Sequence, residues 1–230
     1  KKMSKNLISV ENVKYSLGNN IKFRLNIKKF VLKKSDSVLI YGESGVGKST
    51  FLNLLSGTLN PQEGAIQILG TNIVKTSSSI KDRIRGDHFG IVFQTFNLLP
   101  YITVKNNILL GKAYSTRKQS ISNSDEVQIL MDKLSLNYNE LIDRKAYELS
   151  IGQQQRVAVA RALIGKPEII IADEPTSALD KDNQNEFINL LFQSLDENEQ
   201  GLIMVSHDKK LSNKFKIVKN ITEICEIKND

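Results

Sequence analysis

Short apolar runs alternate with polar stretches at the beginning of this sequence. In residues 7–41 this alternation, interrupted by Gly18, Asn19 and Asn20, is typical of short antiparallel strands joined by a turn. The last run, residues 38–41, is apolar throughout and favours a buried strand. The pattern therefore predicts that the sequence opens with β structure.

The spacing of apolar positions changes after this strand. Residues 49–55 predict a short helix that ends near Gly57, because glycine commonly follows the last helical turn. Residues 61–64, which include proline and glycine, predict a turn before a further strand at residues 66–69. Strands and helices therefore alternate in this part of the sequence.

Helical patterns dominate the middle of the sequence. Residues 97–165 contain few β-branched runs, and they predict a helical lobe inserted between two halves of an α/β core. Apolar strands return at residues 169–172 and 202–205. Apolar strands that alternate with helices usually pair in parallel, so the predicted fold class is α/β with a mainly parallel central sheet.

The composition is that of a globular protein with a substantial core. The sequence has 230 residues, of which 40% are hydrophobic and 25% charged. No apolar stretch approaches the ~20 residues that span a bilayer, and we expect no signal peptide. The single cysteine, Cys225, cannot form an intrachain disulfide, so we expect a reducing compartment.

The formal net charge of +7 allows more than one kind of anionic partner. Nucleic acid, phosphate groups and an anionic membrane surface all attract a basic protein. The lysines are scattered along the sequence rather than clustered, so nucleic-acid binding is not expected.

A glycine loop, residues 42–49, fits the pattern G-x-x-x-x-G-K-[ST] in full. Its glycines let backbone N–H groups converge on phosphate oxygens, and the following helix presents its positive end to the same anion. Lys48 then binds the β- and γ-phosphates, and the Ser49 hydroxyl binds Mg²⁺. A glycine-rich turn without a ligand is the alternative, which the flanking strand and helix disfavour. The candidate nucleotide contacts are Gly42, Ser44, Gly45, Gly47, Lys48, Ser49 and Thr50.

Two carboxylates, Asp173 and Glu174, end the apolar strand at residues 169–172. We expect Asp173 to hold Mg²⁺ through water and Glu174 to orient and deprotonate an attacking water. Solvated carboxylates at a strand end are the alternative. Pro175 follows directly, and it predicts an extended conformation for Glu174.

A signature segment, residues 150–153, reads as the start of a helix. Ser150 is a good N-cap, and Gln153 stands at the third helical position, as in a capping box. Such a helix start binds anions, but it also occurs without a ligand. Both interpretations remain open from these residues alone.

In this order, residues 42–49, 150–153 and 169–174 resemble the motifs of the ATP-binding cassette (ABC) ATPases, and the second of them separates that family from other nucleotide hydrolases. The resemblance covers residues 7–208. It implies a P-loop ABC cassette with a RecA-like core, an antiparallel β lobe and the inserted helical lobe, forming a single domain at residues 5–225.

The resemblance also implies a homodimer that forms around two ATP molecules. In this family the signature helix faces the γ-phosphate held by the other subunit, so Ser150, Gly152 and Gln153 are expected nucleotide contacts. Residues 177–180 match the loop that crosses to the partner, which makes Asp180 a further contact.

Three further positions take roles from the resemblance. Gln94 closes a predicted strand at residues 90–94 and is expected to sense Mg²⁺ and the attacking water. His207 is expected to contact the γ-phosphate and help fix Glu174, although a surface histidine at a strand end is the alternative. The family's adenine-stacking position falls near Leu17, and we expect Tyr15 or a looser apolar contact there.

Ile151 departs from the family pattern, which usually has glycine at this position. Its side chain can crowd the nucleotide or tilt the helix, whereas Ser150 and Gly152 are kept. We expect the ATP sandwich to form with weaker ATP-driven closure.

The expected activity is ATP hydrolysis that drives integral membrane permease subunits, with the cassette held at the cytoplasmic face of the inner membrane. Residues 89–101 and 148–161 are most similar to the cassettes of bacterial macrolide-export and lipoprotein-releasing systems. The apolar residues 95–101 either pack inside the helical lobe or receive a helix from the membrane partner.

Other readings stay open at this point. Metabolite import is the nearest rival within transport. Soluble ABC ATPases that act on DNA or ribosomes are the alternative class, although such proteins carry a coiled-coil insertion, zinc cysteines or two cassettes. A P-loop kinase would leave residues 150–153 and His207 without a role.

Overall fold

The structure, a computed structural model, describes residues 6–17, 23–121, 125–177 and 179–229. The predicted turn at Gly18, Asn19 and Asn20 lies outside them. The strands are β1 (Asn6–Ser16), β2 (Phe23–Lys33), β3 (Ser37–Tyr41), β4 (Glu63–Ile68), β5 (Thr71–Asn72), β6 (Phe89–Val92), β7 (Ile169–Asp173), β8 (Gly201–Ser206), β9 (Ile217–Asn220) and β10 (Cys225–Asn229). The α-helices are α1 (Lys48–Leu55), α2 (Ser78–His88), α3 (Val104–Leu109), α4 (Thr116–Ile121), α5 (Glu126–Lys133), α6 (Tyr138–Leu141), α7 (Ile151–Leu163), α8 (Lys181–Ser194) and α9 (Ile221–Ile224).

The chain divides into two compact units. The first unit comprises Lys1–Arg85 and Gly201–Asp230, and the second comprises Gly86–Gln200. None of the helices within the described ranges is long and apolar enough to cross a membrane.

An antiparallel sheet in the first unit has the strand order β10-β2-β1-β4-β5. Its register pairs Val10 with Phe30 on one side of β1 and with Ile66 on the other, and all three side chains are buried. Phe30 also packs edge-to-face on Phe51 of α1, with ring centroids 5.2 Å apart. The alternation of apolar and polar positions thus buries one face of the sheet.

Parallel pairing in the first unit positions the glycine loop. Strand β3 lies between β8 and β9 and is parallel to both. Residues 37–40 are buried and Tyr41 is half-buried, so the apolar run predicted at residues 38–41 is buried over its first three residues. The strand ends at Tyr41, so the glycine loop begins where β3 emerges from the core.

The second unit combines two parallel strands with six α-helices among its described residues, and α7 is central to their packing. Strands β6 and β7 pair in parallel. A Cβ atom at Gly90 in β6 would lie 2.0 Å from the carbonyl oxygen of Ala162, and one at Gly111 would lie 1.9 Å from that of Arg161. Both glycines therefore allow the backbone to approach the end of α7 closely.

Two elements differ from the sequence prediction. Helix α2 (Ser78–His88) was not predicted, because Ile80 and Ile84 are its only apolar residues. The strand predicted at residues 90–94 is β6 (Phe89–Val92), so Gln94 lies in the following loop and not at the strand's end.

Candidate nucleotide-binding site

Lys48 is held inside the glycine loop by its own backbone. It is the first residue of α1, and its side chain is 4% exposed. The ammonium Nζ donates hydrogen bonds to the carbonyl oxygens of Gly42 at 2.9 Å and Glu43 at 2.7 Å. The loop thus curls around the lysine, which places a positive charge at its centre.

The glycines of the loop have the conformations that a phosphate cradle needs. Gly45 and Gly47 have φ values of 76° and 105°, in the left-handed region that favours glycine. A Cβ at Gly42 would lie 2.7 Å from Cγ2 of Ile221, whereas one at Gly45 would meet no atom within 4 Å. The loop is therefore tight at its base and open at its tip, which fits a bound phosphate group.

His207 emerges beside the glycine loop. The register of the parallel strands β3 and β8 pairs Tyr41 with Ser206, so Gly42 and His207 are the next residues of neighbouring strand ends. His207 is exposed. The expected contact of His207 with a γ-phosphate is consistent with this placement and stays a prediction.

The two candidates for the adenine contact differ in exposure. Tyr15 is 7% exposed and lies opposite Leu25 in the sheet, whereas Leu17 is 64% exposed at the end of β1. The burial of the Tyr15 ring favours the second expectation, an apolar contact near Leu17.

Glu174 has a left-handed backbone, so the predicted extended conformation is wrong. Its φ is 43°, and its carbonyl oxygen accepts a hydrogen bond of 3.2 Å from the N–H of Ser177. Pro175 occupies the second position of this turn, where its fixed φ is favoured. The preference of a residue before proline for extended backbone is thus overridden by the turn, which begins directly after Asp173 and β7.

The turn after Glu174 is held from two helices of the second unit. Gln155 of α7 is 2% exposed, and its Nε2 donates to the carbonyl oxygen of Pro175 at 2.8 Å. Gln184 of α8 donates from Nε2 to Oγ1 of Thr176 at 3.1 Å. The backbone that carries Glu174 is therefore fixed by side chains that the sequence analysis did not single out.

The signature segment forms the predicted capping box. The Ser150 hydroxyl accepts from the N–H of Gln153 at 3.3 Å, and the Gln153 side chain accepts from the N–H of Ser150 at 2.9 Å. Ile151 is 63% exposed, and a Cβ at Gly152 would meet nothing within 4 Å. The start of α7 is thus capped by its own side chains while its first turn faces outward.

A cleft of about 230 Å³ lies between the first turns of α7 and α8. Asp180 is the N-cap of α8 and accepts from the N–H of Asn183 at 2.9 Å. Hydrogen bonds from the Asn183 backbone and side chain lower the pKa of the Asp180 carboxyl. The cleft is lined by Ile151, Gly152, Gln155, Arg156, Leu179, Asp180, Asn183, Glu186 and Phe187.

Gln94 opens a loop with two left-handed residues. It is exposed, and Phe96 and Asn97 have φ values of 52° and 49°. Arg161 of α7 donates from its guanidinium group to the carbonyl oxygens of both residues, at 2.6 Å for Asn97. The apolar segment is therefore tied to the signature helix, and it exposes Leu99, which is 50% exposed, in place of complete burial.

The residues expected to hold Mg²⁺ have suitable chemistry. Ser49 offers an exposed hydroxyl in the first turn of α1, Asp173 a half-buried carboxylate at the end of β7, and Gln94 an exposed amide. The described residues contain no cluster of three or more side chains from His, Cys, Asp and Glu that would hold a metal. Few protein ligands are typical of Mg²⁺ sites completed by phosphate oxygens and water, so this donor set fits.

The chain is similar to proteins of a known family. The family model described as ABC transporter matches residues 25–177. The lipoprotein-releasing system ATP-binding protein LolD of Francisella tularensis is 35% identical over 187 residues, covering 80% of this chain and 79% of LolD. The macrolide export ATP-binding/permease protein MacB of Bdellovibrio bacteriovorus is 38% identical over 187 residues, covering 80% of this chain and 28% of MacB.

Solved structures with the same fold include a protein in two states. The dimeric structure of MJ0796, a bacterial ABC transporter cassette, has 31% identity and a TM-score of 0.73 over 93% of this chain and 94% of that chain. Its dimeric post-hydrolysis state bound to ADP and Pi has 30% identity and a TM-score of 0.75 over 93% of each chain. This similarity extends through both units.

Proposed function

The chain belongs to the ABC transporter family, and we propose that it dimerises head to tail around two ATP molecules and drives separate permease subunits. Its fold is the ABC cassette, as the sequence predicts, and its reaction is the hydrolysis of ATP to ADP and phosphate. The predicted similarity to macrolide-export and lipoprotein-releasing cassettes is confirmed by MacB and LolD.

The glycine loop binds the phosphates of ATP. Its backbone N–H groups and the positive end of α1 face the oxygens, and Lys48 neutralises the β- and γ-phosphates. Its two hydrogen bonds to loop carbonyls support this role, because they keep the ammonium group within the cradle. Ser49 and Asp173, with Gln94, would hold Mg²⁺, which would supply further positive charge to the phosphate oxygens.

Hydrolysis proceeds by in-line attack of water on the γ-phosphorus. The Glu174 carboxylate accepts a proton from that water as the new P–O bond forms, and the bond to the β-phosphate oxygen breaks to release ADP. Gln94 orients the water, and His207 donates a hydrogen bond to a γ-phosphate oxygen. Positive charge from Lys48 stabilises the charge that develops on the transferred group.

The second half of each site comes from the partner subunit. The first turn of α7, with Ser150, Gly152 and Gln153, contacts the γ-phosphate bound by the other copy, and Asp180 lies in the crossing loop. The observation that carries this proposal is the capped, outward-facing start of α7, since helix starts of this kind bind anions. The similar cassette MJ0796 is dimeric in both of its structures, which supports a dimer here.

Permease subunits dock on the loop that follows Gln94. Leu99 and Tyr101 are 50% and 77% exposed there, and Tyr101 lies beside Tyr147 with ring centroids 6.2 Å apart. An exposed aromatic and aliphatic patch suits an apolar helix from a membrane partner. The cassette then sits at the cytoplasmic face of the inner membrane. A role on DNA or ribosomes is not favoured, because LolD and MacB both belong to export or release systems.

Size-exclusion chromatography of Glu174→Gln, with and without Mg-ATP, tests this proposal. The variant should bind ATP and shift from monomer to dimer. Its rate of ATP hydrolysis, measured separately, should fall by about 10²–10⁴-fold, as expected for loss of a general base. Glu63→Gln is the matched control, because Glu63 is an exposed carboxylate of β4 paired with Lys14.

The outcomes separate the parts of the proposal. Full turnover in Glu174→Gln would refute the role of Glu174. ATP binding without a dimer would mean that closure needs the permease, or that Ile151 obstructs it. Absence of ATP binding in both the wild-type protein and Glu63→Gln would refute the nucleotide site itself.

A further inference from the structure

The backbone of Glu174 is in a conformation that other parts of the structure must enforce. A left-handed φ, here 43°, costs a residue other than glycine roughly 1–2 kcal/mol. Such conformations persist where the surroundings fix them. The hydrogen bond from Ser177 N–H to Glu174 closes the turn locally, but it does not connect the turn to the rest of the unit.

Gln155 of α7 supplies one such connection, beside the hydrogen bond from Gln184 of α8 to Thr176. Its side chain is 2% exposed, and its amide donates at 2.8 Å to the carbonyl oxygen of Pro175, the residue directly after Glu174. Pro175 is itself buried. A buried hydrogen bond of this length restricts the rotation of the peptide between Pro175 and Thr176, one residue beyond Glu174, because its loss would leave a buried carbonyl without that donor.

Gln155 also lies close to the start of the signature helix. It follows Ile151 by one helical turn, and both residues line the cleft at the start of α7. A shift of this helix start therefore moves the Gln155 amide, and with it the carbonyl oxygen of Pro175. The same helix turn thus includes part of the signature segment and contacts the residue directly after the proposed general base.

We propose that Gln155 is a positioning residue for ATP hydrolysis, which holds the Glu174 carboxylate in its working orientation and couples it to the seating of the signature helix on the partner's ATP. This inference rests on the proposed function of Glu174 and of the signature segment. In this role Gln155 acts through the Glu174 turn and not through contact with ATP or the attacking water.

Gln155→Met tests this role, because methionine keeps the length of the side chain and removes the amide donor. We expect kcat to fall about 10–100-fold, the scale of a small misplacement of a catalytic group, while KM for ATP changes less than twofold. Gln154→Met is the matched control: Gln154 is the preceding residue, and its amide donates to the carbonyl oxygen of Leu149 at 3.0 Å. Gln154→Met should leave kcat within twofold of the wild-type value.

A double-mutant cycle with Glu174→Gln shows whether Gln155 acts through Glu174. If it does, adding Gln155→Met to Glu174→Gln changes the residual rate less than twofold. The same 10–100-fold loss in both backgrounds would overturn the proposal. Full activity of Glu174→Gln alone would instead refute the proposed function, so the two failures are distinguishable.

Hydrogen exchange at the Ser177 amide gives a readout that does not depend on turnover. Its N–H donates to the carbonyl oxygen of Glu174, so loosening of the turn should raise its exchange rate at least fivefold in Gln155→Met. If that variant does not fold, Gln155→Asn replaces it, since the shorter amide cannot span the same distance. Unchanged exchange and unchanged kcat in the folded variant would overturn the role of Gln155.

Discussion

The guanidinium group of Arg161 donates to the carbonyl oxygen of Asn97 at 2.6 Å and also to that of Phe96. It therefore spans two consecutive residues with left-handed φ, in the loop that follows Gln94. Arg161 lies in α7, ten residues after Ile151, the first residue of that helix. One helix thus carries the signature segment, the contact to the Glu174 turn and the clamp on the loop proposed to meet the permease.

Arg161→Lys should loosen this loop. A lysine ammonium is a point donor that cannot reproduce the planar fork of arginine, so at least one carbonyl loses its partner. We expect the free energy of unfolding to fall by about 1–3 kcal/mol, measured by urea titration. Hydrogen exchange should rise at Phe96 and Asn97 but not at Leu99, whose N–H donates to Asn107 at 2.8 Å. An equal rise in exchange at Phe96, Asn97 and Leu99 would contradict an effect of Arg161 that is confined to the first two residues.

Gly111→Ala should destabilise the second unit. The added Cβ would lie 1.9 Å from the carbonyl oxygen of Arg161 and 2.7 Å from Cγ2 of Ile164, and backbone atoms cannot move aside cheaply. We expect the free energy of unfolding to fall by about 1–3 kcal/mol, as when extra atoms are forced into a well-packed core. Gly86→Ala is the control, because its nearest contact would be an ordinary 3.4 Å, and alanine is the better helix former. In thermal unfolding, a lower Tm for Gly111→Ala but not for Gly86→Ala would attribute the loss to the close approach of the backbone and not to helix propensity.

Lys118 makes stability depend on pH. Burial, followed by the nearby charge of Arg117, lowers the pKa of Lys118 from 10.5 to about 8. Its Nζ donates to the carbonyl oxygens of Phe89 at 2.8 Å and Gly111 at 3.1 Å. Between pH 8 and 10.5 the unfolded chain binds a proton at this residue that the folded chain does not, so stability rises with pH across this window.

Comparison with Lys118→Met isolates this effect from other titrating groups. The wild-type free energy of unfolding should rise relative to that of the variant by about 2 kcal/mol between pH 7.5 and 10. Urea titrations at the two pH values measure the difference. A constant difference between the two proteins would show that the pKa of Lys118 is not lowered in the folded state.

Local sequence signals predicted the features that depend on a few neighbouring residues. The glycine loop, the capping box at Ser150 and Gln153 and the buried strand β3 each follow from short-range chemistry, and the structure contains them. The strand before Gln94 was predicted to end two residues too late, because apolar character continues through Phe93 after the pairing with β7 ends.

Features that depend on long-range contacts were not predictable. The left-handed φ of Glu174 occurs in a turn whose Pro175 carbonyl accepts a hydrogen bond from Gln155, 20 residues before Pro175, and the preference of residues before proline reports neither contact. Gln155 stands among polar residues that follow the signature segment, and Arg161 is a single cation in an apolar stretch, where nothing in the spacing distinguishes a buried donor from a solvated one. Their partners are backbone carbonyls, which carry no sequence signal.

The Ile151 side chain should limit ATP-driven closure rather than the folding of the cassette. It is the first residue of α7 and is 63% exposed, so Ile151→Gly removes little packing. In a Glu174→Gln background we expect Ile151→Gly to lower the ATP concentration for half-maximal dimerisation by up to about tenfold, which corresponds to about 1.4 kcal/mol. Gly152→Ala is the opposing control, because its Cβ would meet no atom of its own chain within 4 Å and should obstruct only the partner's nucleotide. Gly152→Ala should fold normally and raise the ATP concentration for half-maximal dimerisation. Identical ATP dependence of Ile151→Gly and its parent would mean that the isoleucine is accommodated at the dimer interface.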